Sequence, residues 1–213
     1  MSVIVNHFFI IMVDNFSFPE YASAPGRFGF MRSFSARDLT GAAIGVVLIA
    51  LCSWIAVPTA VPFTLQTFAV CLIAALLGLR RGLWSVGCYI LLGAVGVPVF
   101  SGFRGGFGVL LGSTGGYIIG FLFTALVIGL ALKNREATLP RLLVSMSLGV
   151  LLCYAFGTAW FMIVYTRGSG PLSLGVALSW CVLPYLIPDA VKITLAALLT
   201  RRLAPVVHRQ IGI

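Results

Sequence analysis

Charge is what this sequence has least of. Asp, Glu, Lys and Arg make up 9% of its 213 residues, against about 25% in soluble domains. With 60% of the residues hydrophobic, a water-soluble globule would be left with large exposed apolar patches, so the composition points to the bilayer as solvent. Histidine is scarcer still. His7 and His208 lie outside every long apolar run, which leaves an intramembrane serine nucleophile without a base. An intramembrane aspartyl protease needs two carboxylates sharing a proton, and the spans hold one, Asp189. The Gly-x-x-x-x-Gly-Lys-[Ser/Thr] loop that cradles a nucleotide is absent. The chain therefore reads as a non-enzyme. Cys52, Cys71, Cys88, Cys153 and Cys181 fall within apolar segments, without metal-ligand spacing. They read as buried, inert thiols, with no metal or cofactor expected.

What is present is a series of long apolar runs. Uncharged stretches cover Leu39–Val57, Phe63–Leu79, Gly82–Val97, Val109–Leu132 and Leu142–Thr166, and a sixth, broken stretch covers Leu172–Leu203. A span needs about 20 residues, so the expected fold is an all-α integral membrane protein of six transmembrane helices with a Pro-broken last span. The net charge of +9 does not signal nucleic acid, because the basic residues cluster at the ends of the runs. Arg27, Arg32, Arg37, Arg80, Arg81, Lys133, Arg135, Arg141, Arg201, Arg202 and Arg209 sit at alternate junctions, and only Arg104 and Arg167 sit at the others. Basic flanks stay in the cytoplasm, which places both termini there and the chain in a bacterial inner membrane. Residues 1–36 are expected to be a disordered extension, 37–205 the six-helix membrane domain, and 206–213 a short cytoplasmic tail. Val3–Val13 is too short to span and lacks the basic start of a signal peptide. Residues 1–30 read as a dispensable extension or as the product of an upstream start.

The sixth stretch carries the chemistry. Pro184 and Pro188 suit a first helical turn, so Leu172–Leu183 is expected to be an outer interfacial segment, with a helix running inward from about Pro184 to Arg201. Asp189 and Lys192 are the charged residues within the spans. Such charges are costly and face a bundle interior or a wet cavity. At i,i+3 they share one helix face, and Asp189 lies in the half of the helix where the dipole favours an anion. They read as a polar clamp on a ligand, with a purely structural ion pair as the alternative. In the first span, Gly41-x-x-x-Gly45 is a small-residue spacing for helix–helix contact.

The outer junctions bear motifs that resemble a known family. Pro62-Phe63-Thr64-Leu65-Gln66-Thr67-Phe68 is similar to an element of the BioY family, the biotin-binding subunits of energy-coupling-factor (ECF) transporters. Gly93 to Phe100, Gly105-Gly106 and Gly112-Ser113-Thr114-Gly115-Gly116-Tyr117 follow in that family's order, although Ser113 replaces an expected proline. Leu183-Pro184-Tyr185-Leu186-Ile187-Pro188-Asp189-Ala190-Val191-Lys192 is similar to its closing element. The resemblance implies a substrate-binding subunit (S-component) that takes biotin from outside and docks on a transmembrane coupling subunit carrying two ATPases. It also implies that Asp189 and Lys192 bind the ligand. Asp189 can accept from ureido N–H groups, and Lys192 can donate to the ureido oxygen or the carboxylate. Gln66, Thr114 and Tyr117 are further polar candidates. Phe100, Phe103 and Phe107 would cover the ligand's ring, and Arg104 would draw in its carboxylate. Gly41, Ala42 and Gly45 are the expected docking positions for the coupling subunit. An S-component for another small vitamin and a membrane assembly protein remain the alternatives.

Overall fold

The computed structural model describes residues 36–58, 61–133 and 135–211. The expectations for the N-terminal extension lie outside them. Among the described residues, seven α-helices follow one another: α1 (Ala36–Trp54), α2 (Gln66–Ala94), α3 (Phe107–Leu111), α4 (Gly115–Leu132), α5 (Leu139–Ser169), α6 (Leu174–Cys181) and α7 (Leu186–Ile211). A two-stranded hairpin links α1 to α2, pairing β1 (Ala56–Val57) with β2 (Phe63–Thr64) antiparallel. Among the described residues, α2, α4, α5 and the combined α6–α7 stretch are long and apolar enough to cross a membrane, and α1 is a shorter apolar helix.

The outer surface behaves as a lipid-facing one. On α5, Val144, Leu148, Leu151 and Leu152 are exposed, while Leu142, Met146, Gly149, Cys153 and Phe161 are buried. A row of large aliphatic side chains left exposed beside an apolar buried face suits a surface that meets lipid.

Local chemistry explains most of the helix boundaries. Pro140 sits in the first turn of α5 behind Thr138, where its missing N–H costs nothing. Ser173 Oγ accepts the Val176 amide to start α6. The second and third expected spans are the two arms of α2, divided at Gly78, whose φ of 76° and ψ of −177° leave the helical region. Only glycine adopts such a conformation at low cost. The expected Val109–Leu132 span is in fact broken, because α3 ends at Leu111 and α4 starts at Gly115. A Cβ at Gly115 would overlap the Leu110 carbonyl, so this tight turn requires a glycine there.

Small residues bring helices into contact throughout the core. Gly116 faces the Trp160 ring, Gly120 faces Cys153, Gly149 lies on Thr124 and Gly157 on Tyr117, which locks α4 to α5. The same use bears on Gly41, Ala42 and Gly45, the expected docking positions. All three are buried within the chain, and a Cβ on Gly45 would run into Ser85 and Ile73 of α2. Gly45 thus serves close packing of α1 on α2. The last helix begins at Leu186, after a 3-10 turn over Leu183–Tyr185, and continues to Ile211. The stretch expected as a tail from 206 thus starts as helix.

Candidate ligand-binding cavity

At the end of the bundle remote from the Gly78 bend, the hairpin, the residue 95–106 loop and the starts of α4 and α7 surround one cavity. The empty space within it, counted to its open mouth, is about 720 Å³. Asp189, Lys192, Gln66, Thr114, Tyr117, Phe100 and Arg104 all line it.

Asp189 lies in the first turn of α7 and is 4% exposed, and Lys192, one turn later, is 5% exposed. Lys192 Nζ donates to Asp189 Oδ1 at 2.7 Å and to the Thr64 carbonyl at 2.7 Å. It also stands 3.9 Å from the centre of the Phe63 ring, where the ring's negative face favours a cation. The other carboxylate oxygen, Asp189 Oδ2, accepts the Tyr154 hydroxyl of α5. The two charges therefore cancel inside the protein. The carboxylate still has acceptor capacity beyond these two bonds.

Gln66 is set by its neighbours. Thr64 Oγ1 donates to Gln66 Oε1 at 3.0 Å, and Gln66 Nε2 donates to the Tyr89 hydroxyl. Tyr89 in turn donates to the Val99 carbonyl at 3.1 Å, which Ser53 Oγ also reaches. This series of bonds fixes the amide's orientation and holds the residue 95–106 loop down on α1 and α2. Tyr117 shares a 2.9 Å hydrogen bond with Thr158, and Thr114 stands just before α4. Phe100 is buried edge-on against Tyr89, over Gly93, where no larger residue would fit. Arg104 pairs backbone to backbone with Phe100 and is exposed at the rim.

Two expectations need correction. Phe103 does not line the cavity. It has a φ of 57°, is 63% exposed and stacks on Trp54 with ring centres 4.9 Å apart. The turn that pairs Phe100 with Arg104 throws Phe103 outward. Phe107 is likewise exposed, on α3. The thiols of Cys52, Cys71, Cys153 and Cys181 are buried as expected and Cys88 is half-buried, and Cys153 and Cys181 also line the cavity. Tyr154, Tyr185 and Thr64 join the lining without having been foreseen. A hydroxyl in the middle of an apolar span was the available signal for Tyr154, since such a group must find a partner away from water.

The match to the BioY family model covers residues 28–209. A biotin transporter BioY of Thermotoga maritima is 40% identical over 173 residues, which is 78% of this chain and 95% of the relative. One from Rhodobacter capsulatus is 34% identical over 151 residues, covering 68% of this chain and 79% of the relative. The crystal structure of the S-component for biotin from an ECF-type ABC transporter superposes with a TM-score of 0.69 at 28% identity, covering 80% of this chain and 94% of that one. Family model, relatives and fold agree, and the chain belongs to the BioY family.

Proposed function

We propose that this chain captures biotin from outside the cell as the membrane-embedded binding subunit of an ECF-type importer. The observation that carries the reading is the polarity of the cavity. Its buried end holds a self-neutralised Asp189–Lys192 pair, and its rim holds the exposed Arg104. A charge-balanced pair suits a neutral group with N–H donors and a carbonyl acceptor, such as a cyclic urea, and a rim cation suits a carboxylate. Biotin has that arrangement, with an apolar ring and chain between. The names of the relatives and of the matching structure support the same ligand.

Gln66, Thr114 and Tyr117 offer further polar contacts and Phe100 an apolar wall. The chain crosses the bacterial inner membrane six times in this reading, counting α1, the two arms of α2, α4, α5 and the α6–α7 unit. Both ends then lie on the basic, cytoplasmic side. ATP hydrolysis falls to partner subunits, a coupling protein and two ATPases, because this sequence carries no nucleotide loop.

The test is to purify the chain from cells grown with biotin, to identify the released ligand by mass spectrometry, and to titrate the emptied protein. Near-stoichiometric biotin and saturable rebinding are expected. A different vitamin in the released fraction, with no rebinding of biotin, would replace the substrate.

A further inference from the structure

The polar end of the cavity is assembled from three elements, and one contributor has no role in the charge pair itself. Lys192 grips Asp189 by a single oxygen, Oδ1. A carboxylate held at one oxygen can still swing about its terminal torsion, which is broad and roughly two-fold. Tyr154 removes that freedom. It projects from α5, lines the cavity and donates its hydroxyl to Oδ2. A phenol does this without adding charge, so the pair stays neutral. A lysine or arginine in its place would make the buried end cationic.

We propose that Tyr154 is a positioning residue for ligand capture. By holding Asp189 Oδ2, it fixes the plane of the carboxylate so that its remaining lone pairs meet the N–H donors of the ligand. The inference rests on the biotin reading for its ligand. Its structural half, the Tyr154–Asp189 contact, stands apart from that reading. Preorganising an acceptor before binding saves the ligand the cost of ordering it.

Tyr154→Phe removes only the hydroxyl. Loss of a hydrogen bond to a charged acceptor is expected to weaken biotin binding by roughly 10-fold or more. In an Asp189→Asn background the same change should cost less than about twofold, because the carboxylate it orients is gone. Equal losses in both backgrounds would overturn the proposal, since a merely structural tyrosine would act additively. A ligand-free measurement separates the two readings. The infrared carboxylate bands of Asp189, identified by their absence in Asp189→Asn, should shift in Tyr154→Phe. Unchanged bands would overturn the positioning role whatever the protein transports. If wild-type protein binds no biotin but the bands shift, the substrate reading fails and the positioning role stands. Should Tyr154→Phe not fold, 3-fluorotyrosine at position 154 keeps the volume and the donor with altered acidity. A band shift is again expected, and its absence again decides against the proposal.

Discussion

At the scale of residues, Lys192 is the group with most to lose. It neutralises Asp189, holds the Thr64 carbonyl and lies over Phe63. Breaking one partner of a desolvated charge pair costs about 2–5 kcal/mol, or about 30- to several-thousand-fold in affinity. Asp189→Ala is expected to lose biotin affinity in that range, and Asp189→Asn less, because an acceptor remains. Lys192→Met should lower both affinity and the apparent thermal midpoint in detergent, since it leaves an unpaired buried carboxylate. Adding Asp189→Asn should restore much of the midpoint and little of the affinity. Titration calorimetry and thermal scans on purified variants check both halves. Wild-type affinity in well-folded Asp189→Ala would reduce the pair to a packing device.

At the scale of elements, glycines decide which helices touch. Gly45 is pressed against Ser85 and Ile73, whereas Val47 on the same helix is exposed. Gly45→Leu is therefore expected to lower the thermal midpoint, with overpacking costing about 1–3 kcal/mol or more, while Val47→Leu leaves it unchanged. A midpoint unaffected by Gly45→Leu would show that α1 can move off α2. The sequence made the apolar runs legible because hydropathy depends on composition alone. It also exposed the Pro-marked start of the last helix and the i,i+3 charge pair, since both follow from local spacing. The inward or outward aim of a small-residue face was not legible. Gly41-x-x-x-Gly45 announces a close contact without saying whether the partner lies in the same chain. Phe103 was lost for a similar reason, because the left-handed turn that directs it depends on the Phe100–Arg104 pairing. Tyr154 lies 35 residues from Asp189, and no local pattern joins them.

At the scale of the whole molecule, the described basic residues lie away from the cavity except for Lys192 and Arg104, which line it. Arg81 meets Asp38 beside the Gly78 bend, while Arg104 stands at the cavity rim. Reporter fusions at Gly105 and Ser169 are expected to read as external, and one after Asn134 as internal. An internal reading at Gly105 would invert the molecule and turn the cavity toward the cytoplasm. The bonds from the last part of the chain back to the hairpin also bear on biosynthesis. Lys192 reaches Thr64 across 128 residues, and Tyr185 reaches Val61 across 124. Domains form from the N-terminus as the ribosome delivers them, yet here the first loop waits for the last helix. A nascent chain arrested before α7 would lack both Asp189 and Lys192, and with them the Lys192 bond that ties Thr64 to the last helix. On the clamp reading, competence to bind is expected only once the C-terminal helix has left the insertion machinery, and a prematurely terminated chain is expected to bind no vitamin.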